Sequence, residues 1–83
     1  MYENTTKEII DAQNNIDGAM NSLVEKNSGL IWSIVKRFSG RGYEQEELYQ
    51  IGAIGFVKAI KRFDASFEVK LSTYAVPYMI RRD

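Results

Sequence analysis

Hydrophobic residues recur three, four and seven positions apart in the first half of the chain, which is the spacing of an amphipathic helix. The stripe consists of Leu23, Val24, Leu30, Ile31, Ile34, Val35 and Phe38. It predicts a helix over residues 17–38, with a bend at Ser28 or Gly29 because both are weak helix formers. A shorter helix is predicted near residues 5–13, within a lead-in formed by residues 1–16.

Two further helices are predicted after the turn sequence SGRG. The segment 43–63 opens with three glutamates and ends with three basic residues, as the helix dipole favours. A last helix is predicted from Tyr74 to the end of the chain, with Ser72 or Thr73 as its cap, so that it occupies residues 72–83. We therefore expect residues 1–83 to form one all-α domain, a small bundle of three to four helices.

Composition narrows the possible functions. The chain has 83 residues, no cysteine and no histidine, so disulfides, the usual zinc sites and Ser/His or Cys/His catalysis are excluded. The adjacent Glu46 and Glu47 diverge by about 100° on a helix and are poorly placed to act on one bond. We expect no enzyme and no cofactor. Without a long apolar run or a signal-peptide pattern, we expect a cytoplasmic protein that does not bind a membrane.

Two glycines interrupt the helix predicted over residues 43–63. A helical wheel places Gly52 inside the apolar arc and Gly55 at its border. Each glycine costs about 1 kcal/mol relative to alanine in a helix interior. This cost predicts a compensating contact, the close approach of another helix backbone.

The opposite arc of the same helix carries Ile51, Ile54 and Val57 among polar and charged side chains. Three aliphatic residues interleaved with polar groups are typical of a docking surface. The alternative is that the first helix or the N-terminal segment covers them. The pattern alone leaves both interpretations open.

Charge is distributed unevenly although the net charge is zero. Residues 1–28 contain five acidic and two basic residues, whereas residues 58–83 contain six basic and three acidic residues. A basic C-terminal third suits contact with a polyanion, but it also suits an ordinary solvated surface.

Three motifs, LVEKN, EELYQIGAIGFVKAIKRFD and LSTYAVP, occur in this order along the chain. Together they resemble region 2 of bacterial sigma factors of the sigma-70 family, closest to the sporulation and stress-response branch. The resemblance covers residues 23 to about 80. It implies an all-α fold and a role in transcription initiation in which the polymerase supplies the catalysis.

The resemblance also implies a polymerase contact. In this family, the helix that matches residues 47–63 docks on a coiled coil of the β′ subunit of core RNA polymerase. The matching positions are Ile31, Glu47, Gln50, Ile51, Ala53 and Val57. All but Ile31 and Ala53 lie on the arc that carries the unexplained aliphatic residues. Ile51 and Ala53 stand where family members often have polar residues, which implies a more apolar contact.

A second implied contact is with the single-stranded non-template strand of melted promoter DNA. The matching positions are Lys70, Thr73 and the aromatic Tyr74 and Tyr78, with added charge from Arg81 and Arg82. Stacking combined with phosphate contacts suits single strands. The tyrosines equally suit a core position, because the helix that carries them must pack somewhere.

Family members of this branch continue into a basic helix that reads the promoter, whereas this sequence ends at Asp83. We therefore expect a C-terminally truncated region 2, either a fragment of a longer factor or a small sigma-like protein. The alternative function is an interaction module that binds polymerase or an anti-sigma factor without promoter recognition.

Overall fold

Five α-helices form the domain in the computed structural model, which describes residues 4–38 and 44–80. They are α1 (Thr6–Gln13), α2 (Ala19–Lys26), α3 (Ser28–Phe38), α4 (Gln45–Arg62) and α5 (Leu71–Ile80). No β-strand occurs in these two ranges. The predicted all-α fold is confirmed, with five helices where three to four were expected.

The first helix begins at a capping box. The Thr5 hydroxyl accepts a hydrogen bond from the Glu8 backbone N–H (3.1 Å), and the Glu8 carboxylate accepts one from the Thr5 N–H (2.9 Å). Lys26 of α2 donates to the same carboxylate at 2.8 Å. The Lys26 bond, followed by the Thr5 bond, lowers the pKa of the Glu8 carboxyl. Its stabilising contribution is therefore present at neutral pH and is lost as the pH falls through this lowered pKa.

The helix predicted over residues 17–38 is two helices in the structure, and this prediction was wrong. The chain turns at Asn27, whose side chain is fully buried and donates to the Leu23 carbonyl and to the Asn4 side chain, both at 2.8 Å. Asparagine side chains compete with the backbone for such carbonyls. The break therefore falls one residue before the predicted bend.

The glycines of α4 explain how three helices pack so closely. A methyl group added at Gly52 would lie 2.6 Å from Val35 Cγ1 of α3, and one added at Gly55 would lie 2.7 Å from the Tyr78 carbonyl carbon of α5. The predicted close packing is confirmed. The approach of a helix backbone occurs at Gly55, whereas Gly52 meets side chains.

The last helix begins earlier than predicted. It starts at Leu71, which is buried, and the Tyr74 N–H already donates to the Lys70 carbonyl at 2.9 Å. Ser72 and Thr73 therefore lie within the first turn and do not cap the helix. Burial of Leu71 in the core sets the first residue of α5, and a search of the sequence for hydroxyl caps does not detect burial. Residues 81–83 of the predicted segment lie outside the described ranges.

None of the helices in the described ranges is both long enough and apolar enough to cross a membrane.

Candidate functional site

One side of α4 is open to solvent along most of its length. We call it the α4 outer face; it consists of Glu47, Gln50, Ile51, Ile54, Val57 and Lys58. Ile54 is 57% exposed, more than any other large hydrophobic residue in the described ranges. Ile51 and Val57 are half-buried beside it, and the three polar members are exposed. At this exposure Ile54 is not covered by α1, so the alternative of a face covered by the first helix fails at this position.

The first member of the α4 outer face is held by a hydrogen bond to the backbone just before the helix. Glu47 accepts a hydrogen bond from the Glu44 N–H at 3.4 Å, a local contact at the first turn of the helix. This contact orients the carboxylate at one end of the outer face. The acidic end and the basic end at Lys58 therefore flank the aliphatic residues.

Two of the positions implied by the family resemblance, Ala53 and Ile31, are not exposed members of this surface. Ala53 is half-buried at its edge. Ile31 belongs to α3 and is fully buried at the contact with α4, where its Cγ2 packs against Gly52. Because the Ile31 side chain does not reach the surface, a direct contact of this residue with a partner conflicts with the structure. We remove it from the candidate surface.

Four aromatic rings form a continuous group beside the C-terminal end of α4. We call it the aromatic row; it consists of Phe63, Phe67, Tyr74 and Tyr78. The ring centroids of successive members lie 5.4 to 5.7 Å apart, in tilted or edge-to-face arrangements. Phe63 is buried, Phe67 is 41% exposed and both tyrosines are half-buried. Each tyrosine therefore combines a packed edge with an accessible one.

The two tyrosines of the aromatic row also share a hydrogen bond, with 3.1 Å between their hydroxyl oxygens. This bond, with a smaller contribution from burial, raises the pKa of Tyr74 above its ordinary value. Because the ordinary pKa of a tyrosine is already about 10, this shift leaves the Tyr74 phenol neutral at physiological pH, as it would be without the hydrogen bond. Two residues that precede Tyr74 in the sequence, Lys70 and Thr73, are exposed to solvent. Arg81 and Arg82 lie outside the described residues.

Phe67 was missed as a candidate by the sequence reasoning. It lies in the irregular segment between α4 and α5, where no helical periodicity indicates which side chains meet. Its packing against both Phe63 and Tyr74 is visible only in three dimensions.

Within the described ranges, no group of three or more histidine, cysteine, aspartate or glutamate side chains is arranged to hold a metal ion.

Comparison with known proteins identifies relatives over almost the whole chain. The sequence is 48% identical over 81 residues to the RNA polymerase sigma-F factor of Bacillus licheniformis, covering 96% of this chain and 32% of that protein. The sigma-F factor of Bacillus subtilis (strain 168) is 47% identical with the same coverage. The sigma-G factor of the same strain is 47% identical over 64 residues, or 77% of this chain and 25% of that protein.

The chain thus spans about a third of the length of the sigma-F factors it matches. The family profile described as sigma-70 region 2 matches residues 23–82, which is most of the chain. The chain belongs to the sigma-70 family and corresponds to its region 2, in the sporulation-type branch.

Proposed function

We propose that this domain acts in transcription initiation as a sigma factor, or as the polymerase-binding region of one. Family membership supports the general role, since the relatives are RNA polymerase sigma factors. The observation that carries the proposal is the open α4 outer face, with Ile54 more than half exposed. In this role the domain binds and positions, the polymerase supplies the chemistry, and both work in the cytoplasm.

The partner proposed for the α4 outer face is the coiled coil of the β′ subunit. Ile51, Ile54 and Val57 supply the apolar centre that a protein interface needs, and Glu47 and Gln50 supply a polar rim. Rim charges fix orientation and raise the association rate more than they raise affinity. Because α4 is one uninterrupted helix of 18 residues, its outer face offers one continuous strip to another helix.

Titration calorimetry tests the polymerase contact. The 83-residue chain is titrated with a purified β′ coiled-coil fragment, and we expect saturable binding with one chain per fragment. A heat signal indistinguishable from that of dilution would contradict the proposal.

We propose the aromatic row as the second contact, for the non-template strand of melted promoter DNA. Stacking on an aromatic side chain contributes about 1 to 3 kcal/mol per base and tolerates any sequence. Phe63 and Phe67 pack against Tyr74 and limit the rotation of its ring. Lys70 and Thr73 supply phosphate contacts, so affinity should fall with added salt.

The Tyr78→Ala variant should bind a labelled non-template oligonucleotide roughly tenfold more weakly than wild type, because one stacking surface is lost. Tyr78→Phe, which keeps the ring and loses the hydroxyl, should stay close to wild type. Lys58→Ala should also have little effect, because Lys58 lies on the α4 outer face. Fluorescence anisotropy provides the affinities, and circular dichroism shows whether each variant remains folded.

Equal losses for Tyr78→Phe and Tyr78→Ala would contradict stacking as the basis of the contact. Duplex DNA provides a further comparison. Since we assign no described residue to reading base edges in a groove, duplex binding should be weak and should not depend on sequence.

A second candidate function is an interaction module that binds polymerase or an anti-sigma factor without engaging DNA. The hydrogen bond between the Tyr74 and Tyr78 hydroxyls favours it, because two side chains that satisfy each other suit a purely structural role. Binding to the β′ fragment with no measurable affinity for the oligonucleotide would support this alternative.

A further inference from the structure

One side chain links the N-terminal helix to the end of α4. The Gln13 amide nitrogen donates to the Ile60 carbonyl at 2.8 Å and to the Phe63 carbonyl at 2.7 Å. Both bonds are partly buried and join residues 47 and 50 positions apart in the chain. Gln13 precedes residues 23–82, the part of the chain that the family profile covers.

The two carbonyls that Gln13 contacts lie where α4 ends. The last four carbonyls of a helix lack partners within the helix, and the amide group of glutamine has two N–H donors to offer. The Phe63 backbone is extended (φ −70°, ψ 141°), and its N–H donates to Ile60 at 3.3 Å. Gln13 therefore holds both sides of the point at which the chain leaves the helix.

The donor is itself held firmly in place. Ile9 and Ala12 of α1 are buried in the core, on the same helix as Gln13. The Glu8–Lys26 ion pair joins α1 to α2 at 2.8 Å. Because docking of α1 fixes the Gln13 backbone, only the rotamer freedom of the side chain is lost when the amide bonds, and its position constrains the α4 terminus.

The residue that Gln13 fixes is also the first member of the aromatic row. The Phe63 ring packs edge-to-face on Phe67 at 5.7 Å and on Tyr74 at 5.4 Å. A shift of the Phe63 backbone would move the ring against which both neighbours pack. The α4 outer face lies on the other side of the helix and has no such contact with Gln13.

We propose that Gln13 is a positioning residue for the aromatic row. By bonding the carbonyls on either side of the α4 terminus, it fixes Phe63 and through it the accessible edges of Phe67 and Tyr74. The proposal rests on the function proposed above for the aromatic row, binding of single-stranded nucleic acid. It makes α1 a part of that binding site although α1 carries none of its contact residues.

The decisive substitution is Gln13→Glu, which keeps the shape of the side chain but replaces the amide nitrogen and its two N–H donors by a carboxylate oxygen that faces the two carbonyls. Gln13→Lys retains donors and places a positive charge at a helix C-terminus, where it is favourable. Gln45→Glu is the matched control, since it introduces the same charge at an exposed glutamine of α4. All variants are made in the 83-residue chain.

Oligonucleotide affinity and β′-fragment affinity are then measured for each variant. We expect Gln13→Glu to bind the single strand about five- to tenfold more weakly, the effect expected of one or two lost hydrogen bonds. Gln13→Lys and Gln45→Glu should remain within about twofold of wild type. Binding to the β′ fragment should be unchanged in all three.

Nuclear magnetic resonance of the Phe67 and Tyr74 ring protons provides a readout that does not depend on DNA. Gln13→Glu should shift these resonances relative to wild type, whereas Gln13→Lys should leave them close to their wild-type positions. If wild type itself binds no oligonucleotide, the DNA contact fails, and the ring resonances still decide whether Gln13 positions the row. Unchanged ring resonances, or an equal loss of both binding activities together with thermal stability, would overturn the proposal.

Discussion

The Gly55→Ala variant should unfold about 8 to 16 °C below wild type, a loss of roughly 2 kcal/mol in a domain of this size. The added methyl group would lie 2.7 Å from the Tyr78 carbonyl carbon and 3.1 Å from Met79 Cα. These are backbone atoms and cannot rotate away, so α5 must move. Overpacking of this kind costs about 3 kcal/mol, and the better helix propensity of alanine returns at most about 1 kcal/mol.

Gly52→Ala is the matched control for this prediction. Its methyl group would meet Val35 Cγ1 at 2.6 Å and Ile31 Cγ2 at 3.0 Å, which are side-chain atoms. Because side chains adjust more readily than a helix backbone, its melting temperature should fall less than that of Gly55→Ala. Thermal unfolding followed by circular dichroism measures both. A Gly55→Ala variant as stable as wild type would refute the close approach of α4 and α5.

The Ile54→Glu variant should lose at least about tenfold in affinity for the β′ coiled-coil fragment while keeping its melting temperature. A carboxylate at the centre of an apolar contact is desolvated without a partner, and truncation or replacement of such central residues typically costs more than about 1.4 kcal/mol. Folding should be unaffected, because the Ile54 side chain is 57% exposed in the domain alone.

Ile16→Glu separates this effect from a general loss of apolar surface. Ile16 is 53% exposed, lies in the segment between α1 and α2, and is not a member of the α4 outer face. It therefore undergoes the same chemical change at nearly the same exposure. Equal losses of affinity in the two variants would mean that binding is non-specific and that the α4 outer face is not the docking surface.

Hydrophobic spacing predicted the helices well where burial follows periodicity. The arc of α4 that carries Gly52, Phe56 and Ile60 is buried as its positions indicate. Periodicity does not detect a break that leaves the buried stripe in phase, and so the sequence predicted one helix with a bend at Ser28 or Gly29 where the structure has two helices that meet at Asn27. The start of α5 was misplaced because burial of Leu71, a tertiary effect, outweighs the local preference for a hydroxyl cap.

The candidate site divides in the same way. The helical wheel placed Ile54 on the side of the helix opposite the apolar arc but left open whether another segment covers it, and its exposure is visible only in the structure. Ile31 was assigned through the family resemblance alone, and the structure buries it. The hydrogen bonds from Gln13 to the end of α4 join residues that are separated by 47 and 50 positions in the sequence. No local sequence pattern predicts a contact between residues so far apart in the chain.

The most direct test of the proposed polymerase contact is a map of the surface that the β′ coiled coil touches. The isotopically labelled 83-residue chain is titrated with the unlabelled coiled-coil fragment, and backbone amide shifts are followed by nuclear magnetic resonance. If the α4 outer face is the docking surface, we expect saturable shifts concentrated at Gln50, Ile54 and Val57, with the amides of α1 unchanged. Absence of saturable shifts, or shifts concentrated on α1 and Ile16, would contradict it.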